Sequence, residues 1–260
     1  MPFNLVGFSE ATPGTGTPGI APGGNEQLYR VAGDDLYVTV EAPYVIAFYA
    51  AVESTPTTAL LRQAKMIDYD FTRVMDLNVG NKAGGYTYMF GRPLPLRVDK
   101  LQALTVNATD EDTLIGVWLS SGKITQAMLD EVNPTHKIYG YGDTTQVVNS
   151  WTHIPITWTE TLDAGIYEIV GMRGATYLST NMTALMRLSI PGSQSWKPGV
   201  VCQHEGSAHA KMDSDFMHRV GADWPLMGIS FDTEHLPNVE TLSPVAHTDQ
   251  DVELTLQKVG

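Results

Sequence analysis

Cysteine is almost missing from this chain. Cys202 is the single one in 260 residues, so no intramolecular disulfide can form. That excludes a disulfide-stapled scaffold and leaves the compartment open. Charge is scarce too: charged residues make up 17%, below the usual quarter, so little surface is freely solvated. Positive charge is the scarcer sign, with 16 Lys and Arg against 29 Asp and Glu and a net charge of −13. The densest basic spacing is Arg92, Arg97 and Lys100, so non-specific binding to nucleic acid is disfavoured. No apolar run approaches the roughly 18 residues a spanning helix needs. No basic n-region precedes an apolar stretch near Met1, so no signal peptide is expected. The chain reads as a soluble protein made in a cytoplasm. Asn107-Ala108-Thr109 and Asn181-Met182-Thr183 match the glycosylation sequon, but without a secretion signal both read as chance.

Catalytic signatures are missing as well. There is no Gly-x-Ser-x-Gly elbow, no phosphate-binding Gly-x-x-x-x-Gly-Lys loop and no dinucleotide fingerprint. The chain is therefore read as a non-enzyme with no cofactor and no assigned catalytic, cofactor or metal residue. One stretch comes nearest to a site: Cys202, His204, Glu205, His209, Asp213, Asp215 and His218 are ligand types for a transition metal. But His204 and His209 stand five apart where a helical zinc motif needs four, and Gly206 opposes a helix. An exposed polar loop is the simpler reading. Asp110 with Asp112, and Asp249 with Asp251, suggest calcium, yet neither pair has the Gly and distal Glu of a full loop. Asp residues before a strand more often make turns.

What the chain does have is turns and a repeat. Its 24 glycines and 15 prolines imply many short elements, which points to strands. Thr109-Asp110-Glu111-Asp112, followed by an apolar run to Leu119, is matched by Thr248-Asp249-Gln250-Asp251, followed by Val252 to Leu256. Three more landmarks recur in the same order. Tyr44-Val45-Ile46 answers Tyr167-Glu168-Ile169. Ala59-Leu60-Leu61-Arg62 answers Ala184-Leu185-Met186-Arg187. Leu94-Pro95, with Val98 and Leu101, answers Leu236-Pro237, with Val239 and Leu242. Four landmarks in one order indicate two copies of one all-β unit.

The expected fold is all-β: two tandem β-sandwich domains, one short connector helix and an extended N-terminal arm. The arm is residues 1–27, the first sandwich 28–120, the connector 121–150 and the second sandwich 151–260. Thr12 to Gly24 of the arm is too rich in Gly and Pro for a helix or a central strand. Such a segment must be held by its own chain or by a neighbour if it is ordered. Strands are expected at Leu36 to Val40, Tyr44 to Val52, Ala59 to Arg62, Phe71 to Leu77, Leu94 to Val98, Leu101 to Val106 and Leu114 to Leu119. The second set is Ile154 to Trp158, Ile166 to Met172, Thr183 to Ile190, Val200 to Cys202, Gly228 to Phe231 and Val252 to Leu256. Ile124, Met128, Leu129 and Val132 share a helical face, stopped by Pro134, and Tyr139 to Asp143 reads as a loop. Trp118, Trp151, Trp158, Trp196 and Trp224 offer a sugar-stacking platform, although large aromatics in a sandwich are more often core or interface.

Two tandem sandwiches (Tyr44 to Leu119, Tyr167 to Leu256) behind a Gly/Pro-rich arm (Met1 to Gln27) resemble icosahedral viral capsid proteins of the jelly-roll kind. The architecture is most similar to the double jelly-roll major coat of membrane-containing phages. That resemblance implies two jelly rolls per chain, a trimeric pseudo-hexameric capsomer as homo-oligomer, neighbouring capsid proteins as partners, and a place in the virion after synthesis in the host cytoplasm. Such coats usually run longer, so each copy would be a minimal roll. Before Arg30 the arm carries only acids, Glu10 and Glu26, so no direct nucleic-acid binding is expected. The inner face is expected to meet an internal membrane or another protein. Two rivals remain: a carbohydrate-binding or adhesive tandem sandwich using exposed tryptophans, and an enzyme whose metal would be lost in His204→Ala.

Overall fold

The computed structural model describes residues 3–11, 21–26, 37–39, 44–52, 62–68, 71–79, 86–95, 100–106, 112–120, 133–177, 184–192, 197–202 and 229–260. These residues form β-strands and no helix. The first set is β1 (Phe3–Glu10), β2 (Tyr37–Thr39), β3 (Tyr44–Val52), β4 (Arg62–Asp68), β5 (Phe71–Val79), β6 (Tyr86–Pro95), β7 (Lys100–Val106) and β8 (Thr113–Ser120). The second is β9 (His136–Gly142), β10 (Thr152–Ile154), β11 (Thr157–Trp158), β12 (Ile166–Tyr177), β13 (Ala184–Ser189), β14 (Gly199–Cys202), β15 (Ser230–Asp232), β16 (Asn238–Leu242) and β17 (Thr248–Lys258).

Pairing in the first set follows one rule. β1 pairs with β8, β2 with β7, β3 with β6 and β4 with β5, all antiparallel. This is one long hairpin folded at its middle. Pairing of β8 with β3 and of β7 with β4 then joins alternate rungs into two sheets, ordered β1-β8-β3-β6 and β2-β7-β4-β5. The second set repeats the rule. β9 pairs with β17, β10 with β16, β12 with β15 and β13 with β14. The resulting sheets are ordered β10-β16-β13-β14 and β11-β9-β17-β12-β15, with β11 added at one edge.

Several of the repeat landmarks fall on corresponding strands in this order, although Leu94-Pro95 closes β6 while Leu236-Pro237 precedes β16. Tyr44 is the first residue of β3 and Tyr167 the second of β12. Arg62 and Arg187 lie on β4 and β13, Leu101 and Leu242 on β7 and β16, Leu119 and Leu256 on β8 and β17. A bulge follows both tyrosines, between Val45 and Ala47 and between Ile169 and Gly171. An extra residue there bends the strand and strengthens its twist.

Burial explains why the strands read so differently in sequence. β8 and β13 are nearly continuous apolar runs, and Thr113–Ser120 is buried at every position. Such strands must be covered on both faces. The sheet holding β1 and β8 lies against the sheet holding β13 and β16. A Cβ built on Gly7 would meet Leu242, Trp151 and Leu185, and one built on Gly116 would meet Leu185. The bare glycines let the sheets close. In contrast, β17 alternates buried and exposed residues, because the sheet it shares with β9 and β12 covers β13 and β14 with one face and meets solvent with the other. A single cluster of buried side chains runs from Leu5, Tyr49 and Trp118 through Leu185 and Leu242 to Leu254, so the two strand sets share one core. Gly7→Ala is expected to cost about 1–3 kcal/mol by overpacking this seam. A denaturation midpoint unchanged from the parent chain would mean the sheets are not closely apposed there.

Three expectations are corrected. Residues 3–10 of the supposed arm are a strand, β1, at the edge of the first sheet. Tyr139 to Gly142, read as a loop, belongs to β9. Its alternation is real but inverted: Gly140 and Gly142 face inward, where Ile156, Trp158 and Ile154 occupy the space a Cβ would need, and the tyrosines face out. The acids Asp249 and Asp251 lie inside β17 rather than before it. Asp249 takes a left-handed φ of 56° at an irregularity of the β12–β17 ladder, a conformation Asp tolerates better than most residues. The expected connector helix, Lys123 to Val132, falls outside the described residues.

Candidate functional site

The seam between the two strand sets holds a cluster of buried charges. It starts from a residue that looks misplaced. Arg187 sits in the apolar strand Ala184–Ser189 and is fully buried. A charge taken out of water must be paired or it destabilises the fold. Leu185 and Arg187, two apart on β13, share the face toward β1. Across the ladder Arg187 stands opposite Glu240 of β16 on one side and Gly199 of β14 on the other.

Each charge in this cluster is met. Arg187 Nε donates to Glu240 Oε2 at 2.8 Å. Arg187 Nη1 donates to both carboxylate oxygens of Glu26, at 2.7 and 2.9 Å, and to Leu5 O at 3.3 Å. Lys197 Nζ donates to Glu240 Oε1 at 2.6 Å. Trp151 Nε1 donates to Glu26 Oε2 at 2.8 Å, and its ring lies 3.8 Å from the Arg187 guanidinium carbon. Two acids face two bases, so the cluster is close to neutral. Burial works to raise the Glu240 carboxyl, but the Arg187 charge and the Lys197 hydrogen bond outweigh it and hold it below its ordinary value. Among the described residues, Arg187 Nη2 alone in this cluster is buried without a hydrogen-bond partner.

The cluster ties the N-terminal segment to the second strand set. Glu26, Leu5 and Asn4 belong to that segment, and Asn4 Oδ1 accepts from the backbone of Lys197 at 2.5 Å. Leu5 N donates to Lys197 O at 3.0 Å, Gly24 N donates to Asn149 O at 2.8 Å, and Trp151 N donates to Gly24 O at 2.8 Å. Trp118 of β8 donates its indole proton to Gly199 O at 2.8 Å. Residues 3–11 and 21–26 are therefore held by their own chain. Chemically the cluster is a structural lock: a cation clamped between two carboxylates under an indole.

The other sequence candidates fare differently. Cys202 is buried on β14 within the core, and burial pushes its thiol up, away from the thiolate a metal or nucleophile role requires. His204, Glu205, His209, Asp213, Asp215 and His218 lie outside the described residues. Asp112 is buried, Asp249 and Asp251 are exposed, and Asp110 lies outside the description. No cluster of three or more metal-ligating side chains occurs among the described residues. Trp118 and Trp151 are core, and half-buried Trp158 donates its indole proton to Pro237 O at 3.1 Å. None of these three forms an open platform; Trp196 and Trp224 are outside the described residues.

The sequence reading missed the lock. One signal was available: an arginine inside an otherwise buried strand needs a buried acid. Its partner Glu26 is 161 residues away, and no local pattern points to it. Compared with known proteins, the chain matches no family model, no curated protein and no solved structure. Its function is therefore argued from its own geometry.

Proposed function

We propose that this chain is a structural shell protein of an icosahedral virus or phage, built as two jelly rolls in tandem and assembling through trimeric capsomers. The observation that supports this is the folded-hairpin pairing, present twice. A jelly roll is eight antiparallel strands in two facing sheets, and it recurs in viral shells, lectins and cupins. One roll does not separate these. Two consecutive rolls with equivalent strand orders, welded through one core, favour a rigid building block. A shell subunit bears load from its neighbours, and a charge lock across the seam resists shear between the rolls.

The negative charge narrows the setting. With a net charge of −13, the subunit is suited to contact an internal membrane or another protein rather than packaged nucleic acid. It would act in the virion after synthesis in the host cytoplasm, and no catalytic role is proposed. Light scattering on the purified chain across a range of concentrations tests the reading. A discrete trimer or larger closed particles is the expected result. A monomer at every concentration overturns it.

A further inference from the structure

The outer sheet of the second strand set carries a cavity that the shell reading does not use. Register places Tyr139 of β9 opposite Glu253 of β17, and Glu253 opposite Arg173 of β12. In the next row Tyr141 stands opposite Asp251. All five side chains stand on the solvent face, because their strand neighbours Ile138, Gly140, Val252, Leu254 and Gly174 are buried. With Thr159 they line a cavity of about 280 Å³. That is near the lower end for small-molecule sites, enough for a compact ligand.

The chemistry of the lining is mixed. Tyr139 and Tyr141 are two of the large side chains left exposed, at 44% and 52%. Glu253 accepts from Lys137 Nζ at 3.1 Å and lies 3.7 Å from Arg173 Nη1. Burial works to raise its carboxyl, but the hydrogen bonds from Lys137 and Tyr139 and the charges of Lys137 and Arg173 hold it below its ordinary value. It is thus an ionised acceptor at neutral pH. The Tyr139 phenol is raised by its hydrogen bond to that carboxylate, and stays a donor.

We propose that this cavity binds a neutral sugar, as a monosaccharide or the end of a glycan. A sugar ring offers an apolar C–H face and an edge of hydroxyls that both donate and accept. The two tyrosine rings, on one strand and one face, supply the stacking surface. Asp251 and Glu253 supply acceptors and Arg173 donors; the Thr159 hydroxyl, whose proton goes to Glu160 Oε2 at 2.7 Å and Tyr139 O at 3.0 Å, is a further acceptor. One arginine against two carboxylates leaves the lining with one net negative charge, which disfavours anionic ligands. Glu253 is already held by its ion pairs, so little ordering cost attends binding.

The test uses the full chain, with glucose, galactose, mannose, N-acetylglucosamine and their β-linked disaccharides as probes and choline as a cationic comparator. Saturation-transfer NMR and titration calorimetry read binding. Saturable binding of at least one sugar is expected, weakened about tenfold by Tyr141→Ala and within about twofold of the parent in Tyr141→Phe. An unchanged melting temperature in Tyr141→Ala would place the loss at the site rather than in the fold. If Tyr141→Ala does unfold, Thr159→Val serves as the second variant and is expected to weaken the same sugar. Silence from every sugar overturns the proposal, as does binding of choline alone. Loss of self-association in Tyr141→Ala with silent sugars also overturns it and assigns the face to a second copy of the chain. A monomer that binds sugar would sink the shell reading and leave this one standing.

Discussion

Arg187→Met is expected to destabilise the chain by about 3–5 kcal/mol, the usual cost of removing one partner from a buried ion pair. The reason lies in what is left behind. Glu26 would remain buried against Trp151 with its cation gone, and Glu240 would keep only Lys197. Methionine fills much of the volume, so the loss reports charge more than cavity. The double variant Glu26→Gln with Arg187→Met should recover part of the loss, since one buried carboxylate then disappears with the cation. Denaturant unfolding of the parent, both single variants and the double variant closes the cycle. Limited proteolysis adds a second readout: cleavage within residues 1–26 should quicken in Arg187→Met, because Glu26 and Leu5 O lose their anchor. Strictly additive losses, with the N-terminal segment still protected, would show that the cluster does not act as a lock.

Acidification should weaken the fold from about pH 6.5 downward, starting above the range in which Glu240 contributes. His247 is buried, and both of its ring nitrogens lack a hydrogen-bond partner among the described residues. Burial pushes its imidazole down from 6.5 to about 4. Between those values the unfolded chain binds a proton that the folded chain refuses, so falling pH favours unfolding. The stability lost across that window is about 3 kcal/mol. Glu240 acts in the same direction but lower. Its folded carboxyl is depressed, so its contribution is present above its unfolded value of 4.5 and is lost as pH falls through the folded one. His247→Leu should flatten the stability profile between pH 6.5 and 4 and cost little at neutral pH, since it removes two unpaired polar atoms. Equal slopes for parent and variant across that window would refute the assignment.

The lock and the buried imidazole share a trait that bears on what can be read from a sequence. Each is a polar group whose meaning depends on distant neighbours. Arg187 has the same side chain whether it faces water or Glu26, and the fold of the chain across their separation of 161 positions decides which. The inverted pattern of β9 is a related case. Gly140 and Gly142 carry no apolar signal, yet they face inward because side chains from across the sheet fill their places. β1 was masked by the company it keeps, as an apolar strand ahead of a Gly/Pro-rich segment.

The sequence by itself determined the all-β class, most strand positions and the order of the repeat, because these follow from local propensity and from spacing along the chain. Tyr44 and Tyr167, Arg62 and Arg187, Leu119 and Leu256 mark corresponding strands by their order along the chain alone. Tertiary structure alone decided the rest. Which strands pair, which sheets lie buried between others, and which charges meet at the seam are long-range outcomes. They are set by packing continuous apolar strands on both faces and by the need to neutralise every charge that packing removes from water.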